Sequence, residues 1–288
     1  MSKISIRFFN DREVRAIWDE ANSKWWFSIV DIVAAITDSP NPRKYWSVLK
    51  TRLKKAGNEL TTNCSQLKLT AADGKKYATD CFAQEAITAL VKLIPSKKTT
   101  TFLDWFTYSD NTIDGKSKKK AYTFLESNLV ADEDVGTVKS LQQIHAYIFG
   151  GLYGFAGQIR NKTISKGGFT FCLAEYLHPA LRDIEKMPED TFDQIVDKYV
   201  EMNVAHPFME GNGRSTRIWL DLILKKRLGK CIDWSKITKN DYLNAMIISH
   251  TKSDRIKELL ASALTDKIND RETFIKGIDY SYYYEQED

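Results

Sequence analysis

Residues 206–217, HPFMEGNGRSTR, bring one imidazole, one carboxylate, one carboxamide, two guanidinium groups and two glycines into twelve positions. Few of these side chains suit a core. Gly211, Asn212 and Gly213 can take backbone conformations closed to most residues. Consecutive N–H groups there, opening onto a helix N-terminus, would form an anion cradle. Arg214 and Arg217 add planar forks suited to phosphate oxygens. Glu210 is out of place in so basic a loop unless it holds a cation, and Mg2+ typically takes one or two carboxylates together with phosphate oxygens. The groups add up to a nucleotide di- or triphosphate with Mg2+. His206, just ahead of the cradle, has an ordinary pKa near ~6.5 and can take a proton at neutral pH. A Ser, Thr or Tyr hydroxyl needs such a base to attack phosphorus. The chemistry read from these residues is transfer of a phosphorus-containing group from a nucleotide to a hydroxyl, with Phe208 as the loop's apolar anchor.

Two helices must hold this loop. Phe192, Ile195, Val196, Tyr199, Val200 and Val204 recur at helical spacing up to His206, and Ile218, Trp219, Leu222 and Ile223 continue after it. Upstream, Leu141, Ile144, Ile148 and Phe149 form another stripe, with a helix start at 135–137. His145, among those apolar neighbours, reads as structural. Small residues among aromatics at 153–160 read as a tight bend. Ser165, Lys166, Gly167 and Gly168, then Phe169, Thr170 and Phe171, read as a turn and short strand in an otherwise helical region. A hairpin edge of this kind can accept another chain as an added strand. Residues 239–264 read as one or two helices. In the tail, Ser281 and Glu285 lie four apart, on one face if helical, with Tyr280, Tyr282, Tyr283 and Tyr284 around them.

The first 110 residues differ. Ile4, Ile6 and Phe8 alternate, as do Val14, Ala16 and Trp18, and residues 25–30 read as a further strand after a turn at Asn22, Ser23 and Lys24. Residues 31–37 read as a short helix stopped near Pro40. Trp46, Leu49 and Leu53 mark a helix that also carries Arg43, Lys44, Lys50, Arg52, Lys54 and Lys55. Leu67 and Leu69, an Asp73-Gly74 turn and residues 75–80 read as a hairpin. Helices are expected over 86–94 and 99–108. Residues 111–120, NTIDGKSKKK, are short of large apolar side chains and read as a linker or as the N-terminal approach to a helix.

The chain of 288 residues, 43% hydrophobic and 28% charged, is globular and long enough for two domains. Its net charge of +4 is unevenly placed: residues 1–110 hold 17 Lys/Arg against 12 Asp/Glu, so an anionic partner would meet this half. No run approaches a membrane span, and the N-terminus lacks the apolar core of a signal peptide. Cys64, Cys81, Cys172 and Cys231 are widely spaced, which points to reduced thiols and a cytoplasmic protein.

The 206–217 stretch is identified as a member of the Fic family by its signature HxFx(D/E)GNGRxxR, matched at every defined position. The upstream LQQIHAYIFGGLYGFAGQIR segment and the GGFTF hairpin also resemble Fic, so the likeness covers 121–288. Family members mostly transfer AMP from ATP to a hydroxyl of a protein, releasing pyrophosphate. The resemblance implies His206 as general base, Glu210 as Mg2+ ligand, and Asn212 with the backbone of Gly211, Gly213 and Arg214 on the α- and β-phosphates. It implies Arg214 on the phosphates during transfer and Arg217 on the γ-phosphate. Residues 165–171 would be the flap that registers the target chain. Relatives that act as kinases carry Lys where this chain has Gly211, which favours AMP transfer.

The tail, SYYYEQ, resembles the C-terminal inhibitory helix (S/T)xxxE(G/N), here over about 272–286, with Ser281 and Glu285 matching and Gln286 departing. Glu285 paired with Arg217 would occupy the place of the γ-phosphate, and Tyr280, Tyr282, Tyr283 and Tyr284 would be sites of self-modification. The first half resembles the BRO-N type domain of phage antirepressors through WWFSIVDIVAAI, the RKYW helix, the QLK…DGKKY hairpin and LIPSKKTTTFLDW. That implies DNA or protein binding, with Arg43, Lys44, Lys50, Arg52, Lys54 and Lys55 as DNA contacts. The expected fold is an α+β N-terminal domain (1–110), a linker (111–120) and a mainly α Fic domain with a β-hairpin flap (121–288). Its expected function is autoinhibited protein adenylyl transfer, with ATP and Mg2+, a protein substrate and no membrane; oligomerisation stays open. The competing readings are a DNA-binding regulator whose Fic half senses nucleotide, and a Fic enzyme that transfers or removes another phosphoryl group.

Overall fold

The computed structural model describes all residues except 1–2, 20, 23, 72–73, 109–110 and 287–288. Ser23 and Asp73, expected in turns, lie outside the described residues. The chain divides into two compact units, Met1–Thr112 and Ile113–Glu287.

The first unit is built on an antiparallel sheet of order β1-β2-β3-β5-β4: β1 (Lys3–Phe9), β2 (Arg12–Asp19), β3 (Lys24–Ser28), β4 (Cys64–Thr70) and β5 (Lys76–Ala83). Four helices, α1 (Ile29–Thr37), α2 (Pro42–Lys55), α3 (Gln84–Val91) and α4 (Thr99–Tyr108), accompany it. Val14, Ala16, Phe27 and Phe82 from the strands pack with Ile32, Trp46, Ile87 and Phe102 from the helices. The strand expected over 25–30 ends two residues earlier, because Ser28 caps α1 by accepting from the Asp31 N–H. In α2, Asn41 caps, Pro42 opens the first turn, and Trp46, Leu49 and Leu53 are buried. Arg43, Lys44, Arg52, Lys54 and Lys55 are exposed. Lys50 departs from the expected outward set: it pairs with Asp80 at 2.6 Å, beside Trp46, whose indole N–H donates to the same carboxylate at 2.7 Å.

Of the two readings of residues 111–120, the helical one holds and the linker is corrected: residues 113–123 are a helix, α5 (Ile113–Thr123). Its buried stripe is Ser117 and Ala121, continued by Phe124. Small side chains make that stripe invisible to apolar periodicity, yet they let α5 pack closely against the tail helix. Next come α6 (Val138–Phe149), the hairpin β6 (Ser165–Lys166) and β7 (Phe169–Thr170), α7 (Ala174–Glu185), α8 (Phe192–Ala205) and α9 (Asn212–Leu228). They are followed by β8 (Cys231–Ile232), α10 (Lys239–Ser249), α11 (Asp254–Ser262), β9 (Leu264–Thr265) and the tail helix α12 (Arg271–Tyr283). Helix α7, with Pro179 inside it, and the small β8–β9 pair were not foreseen. Trp219, Leu220 and Ile223 of α9 lie at the centre of the core, among Ile144 and Ile148 of α6 and Tyr199 of α8. Among the described residues, no helix is long and apolar enough to cross a membrane.

Candidate active site

Helix α8 ends on His206, which caps it in the left-handed conformation at φ 50° and ψ 64°. A residue with a Cβ is strained there, by an amount on the order of 1 kcal/mol, and the surroundings must hold it. Arg160 does so. Buried at 3% exposure, it donates from Nε to the His206 carbonyl at 2.7 Å and from Nη2 to the carbonyls of Ala205 (3.0 Å) and Cys172 (2.6 Å). Its backbone N–H donates to the Pro207 carbonyl at 2.9 Å. In sequence, Arg160 is only the end of a bend. Its signal was an arginine after Gly157 with no acidic residue nearby in sequence.

The imidazole of His206 has a defined tautomer. Nδ1 lies 3.1 Å from the Asn203 carbonyl oxygen, which can only accept. Nδ1 therefore carries the proton, and Nε2 presents a lone pair. Phe171 stacks on the ring at 3.7 Å and 15°. Burial pushes the imidazole down to about 4, a shift that the Asn203 carbonyl and Glu285 oppose and Arg160 and Lys166 reinforce. The ring is neutral at pH 7.

The loop closes on itself. Asn212 Oδ1 accepts from the Phe208 N–H at 2.8 Å, and its Nδ2 donates to the Phe208 carbonyl at 2.7 Å. The carboxamide expected on the phosphates also staples the loop, which leaves one Nδ2 proton and the backbone N–H of Asn212 as donors. Gly211 caps α9 at φ 79°; a Cβ there would lie 2.4 Å from a Phe149 ring carbon. No side chain caps this helix N-terminus, so its first N–H groups and the positive end of the helix dipole face the loop opening.

Two carboxylates meet at Arg214. Its Nη2 donates to Glu210 at 3.0 Å, and its Nη1 pairs with Asp114 of α5. The guanidinium lies 5.0 Å from the Phe149 ring centre and 5.3 Å from that of Tyr282. Asp114 falls in the stretch read as a linker or the approach to a helix, and nothing local marks its contact with Arg214, 100 positions away. Glu210 is 54% exposed beside the cradle, and among the described residues no group of three or more His, Cys, Asp or Glu could hold a metal. One exposed carboxylate fits a Mg2+ ion that phosphate oxygens would also hold, and does not fit an all-protein cage.

Arg217 is enclosed by the tail. Nε donates to Ser281 Oγ at 2.7 Å, and Nη2 to the Ser281 carbonyl at 2.8 Å and to Glu285 Oε1 at 2.6 Å. Burial pushes the Glu285 carboxyl up, but the charge and hydrogen bond of Arg217 outweigh it and the net shift is down. Glu285 also reaches the cradle: a Cβ built on Gly213 would lie 2.2 Å from Glu285 Oε1. The hairpin crosses the same opening. Gly167 (φ 57°) and Gly168 (φ 81°) turn it, Ser165 pairs with Thr170 and Lys166 with Phe169, and Lys166 Nζ lies 4.0 Å from Glu285. Of the tail tyrosines, Tyr282 and Tyr284 are buried. The Tyr282 hydroxyl donates to Ser117 and that of Tyr284 to the carbonyls of Trp234 and Ile237. With the tail docked, neither hydroxyl can accept a transferred group.

A closed loop between two core helices, a histidine with a free Nε2 ahead of an uncapped helix start and a hairpin across the opening make up the site. Residues 136–224 match the model of the Fic/DOC family. It is similar to the protein adenylyltransferase VbhT of Bartonella schoenbuchensis, 29% identical over 153 residues, 48% of this chain and 31% of that protein. It is also similar to the probable protein adenylyltransferase y4lH of Sinorhizobium fredii, 33% identical over 118 residues, 37% of this chain and 61% of that protein. The matched region spans less than two thirds of either relative. Among solved structures, the BepC protein of Bartonella tribocorum with bound AMPPNP shares 19% identity at a TM-score of 0.48, covering 57% of this chain and 89% of that one.

Proposed function

We propose that this protein is an autoinhibited protein adenylyltransferase. The observation that carries the reading is the neutral His206 with its Nε2 lone pair beside the uncapped start of α9, in a loop that matches the full Fic signature. The target's Ser, Thr or Tyr oxygen attacks the α-phosphorus of ATP, Nε2 takes the hydroxyl proton, and the bond to the β-phosphate breaks to release pyrophosphate. The N–H groups of Gly211, Asn212 and Gly213 receive the phosphates, Arg214 steadies the charge that develops during transfer, and Arg217 holds the γ-phosphate. Glu210 would hold Mg2+, which neutralises phosphate charge when bound. Residues 165–171 present the target segment to Nε2 by main-chain pairing. The two relatives named as adenylyltransferases support this class of reaction.

As encoded, the site is switched off. Glu285 takes Arg217, and Asp114 takes Arg214. Helix α5 and the tail helix act as one body: Lys118 pairs with the buried Asp279 at 2.6 Å, and Tyr282 bonds Ser117 at 3.0 Å. The departure at Gln286 does not loosen the tail, because Lys239 Nζ donates to its main-chain carbonyl at 2.7 Å. Four unpaired cysteines and an ATP substrate favour a cytoplasmic location.

For the first unit we propose contact with DNA phosphates, favoured by the five exposed cations Arg43, Lys44, Arg52, Lys54 and Lys55 on α2. The deciding experiment is lysate labelling with ATP carrying the label at the α-phosphate, using the full chain with Glu285→Gly. Labelled protein bands are expected, and adding His206→Ala should abolish them. Undiminished labelling without His206 excludes it as the base. No labelling with any nucleotide donor, alongside salt-dependent DNA binding, favours the nucleotide-sensing regulator.

A further inference from the structure

His145 was read as a structural residue among apolar neighbours, but its ring has two directional contacts. The Gly157 N–H donates to Nδ1 at 2.8 Å, and Nε2 lies 2.9 Å from the Glu210 carbonyl oxygen. An amide N–H can only donate, so Nδ1 is the acceptor. The proton then sits on Nε2, which donates to Glu210. The ring is fully buried and stacked on Phe208 at 3.8 Å and 22°, with Phe149 at 4.8 Å. It cannot turn to exchange its partners.

The consequence lies on the other side of one peptide. In a trans peptide the C=O and the following N–H point in opposite directions. With the Glu210 carbonyl held towards His145, the Gly211 N–H must point away from it, into the loop opening. There it donates to Glu210 Oε1 at 3.1 Å, a carboxylate oxygen that an arriving phosphate oxygen could replace. Gly211 has no Cβ because Phe149 fills that space, so the peptide before it has little intrinsic resistance to rotation. We infer that His145 is a positioning residue: it fixes the 210–211 peptide so that the Gly211 N–H serves as a donor to the nucleotide phosphates. This rests on the reading of the loop as a nucleotide site, and it assigns His145 no part in bond making.

Two substitutions separate the contacts. Asparagine places its Oδ1 where Nδ1 lies and keeps the Gly157 bond, while glutamine places its Nε2 near the ring Nε2 and keeps the Glu210 bond. Each is made in the full chain with Glu285→Gly, and ATP and ADP affinity are measured by calorimetric titration with and without Mg2+. His145→Gln should bind within about threefold of its parent. His145→Asn should bind about tenfold more weakly, as expected for a lost orienting hydrogen bond. Equal affinity of the two variants, or losses that follow melting temperature and not the identity of the retained bond, would overturn the assignment. Binding is read without transfer, so an enzyme that binds nucleotide but labels nothing counts against the proposed reaction and not against His145. Should both variants fail to fold, or the parent bind no nucleotide, long-range 1H–15N spectra of the unsubstituted chain decide. The Nε2–H tautomer of His145, with Gly211 the slowly reorienting amide of the loop, supports the assignment, and the Nδ1–H tautomer refutes it.

Discussion

Glu285→Gly gives the most direct measure of the switch. Its carboxylate makes a charge-assisted hydrogen bond of 2.6 Å to Arg217, whose side chain is 2% exposed while that of Glu285 is 23% exposed. A hydrogen bond to a charged group contributes about 1.5–3 kcal/mol. Since ~1.4 kcal/mol is a factor of ten, removing it should raise the population competent to hold a γ-phosphate, and the transfer rate with it, roughly tenfold to a hundredfold. Arg217 is not left bare, because Ser281 and Tyr242 still accept from it. Glu285 lies beyond the end of α12, so glycine costs no helix. The same lost bond should lower the melting temperature by roughly 3–12 °C, at about 2–4 °C per kcal/mol for a unit of this size. Rising activity with falling stability is the signature; general damage lowers both. ADP affinity should change less than threefold, because ADP has no γ-phosphate to compete with Glu285. Glu285→Gln, which keeps a hydrogen-bonding group without the charge, should fall between. The assay is single-turnover transfer from α-labelled ATP. A rate that stays the same or falls while ATP binding is intact would refute the latch.

Asp114→Asn in the Glu285→Gly background should tighten nucleotide binding about two- to fivefold, a small gain because Asp114 is 55% exposed and solvent screens it; weaker binding would mean that Asp114 holds Arg214 ready for phosphate. The His206 imidazole, near 4 in the fold against an ordinary 6.5, stays neutral where the unfolded chain takes up a proton. Stability should therefore fall as pH drops from 6.5 towards 4, and His206→Gln should flatten that slope by up to about 1.4 kcal/mol per pH unit. Glu285 is shifted down, so its contribution persists above its ordinary value and is lost only as pH falls through the lowered one. Transfer by Glu285→Gly should accordingly hold level from pH 8 to about 5, and an acid limb near 6.5 would refute the buried-base geometry. For the first unit, replacing Arg52, Lys54 and Lys55 with glutamine in the full chain should reduce the slope of log K against log salt for duplex DNA by roughly one per cation; an unchanged slope removes α2 from the contact.

The composition of the loop was legible because its groups are contiguous. Twelve adjacent residues carry the histidine, the two glycines, the exposed carboxylate and both arginines, and two helical stripes locate the loop between α8 and α9. The pairing proposed for the tail was legible only through the resemblance of Ser281 and Glu285 to an inhibitory helix, because their spacing by itself names no partner for either. Chain separation defeated the rest. Asp114 reaches Arg214 across 100 positions, His145 reaches Glu210 across 65 and Arg160 reaches His206 across 46. No local pattern encodes such pairs. Helix α5 escaped because its buried face is Ser117 and Ala121, side chains too small to mark an apolar stripe. The tyrosines of the tail looked equivalent in sequence, yet packing turned the hydroxyls of Tyr282 and Tyr284 inward.

Sequence by itself determined which groups the site owns: an imidazole, a glycine cradle, a carboxylate and two guanidinium groups in fixed order. Tertiary structure alone decided what state each group is in. The proton sits on His206 Nδ1 because the Asn203 carbonyl faces it, and on His145 Nε2 because the Gly157 amide faces the other nitrogen. Asn212 is a staple because the Phe208 backbone takes its Oδ1 and one Nδ2 proton, and both arginines are occupied because α5 and the tail beyond α12 bring carboxylates to them. Residue type sets what a group can donate, accept or titrate, while its partner atoms, supplied from distant parts of the chain, select which of those options is realised.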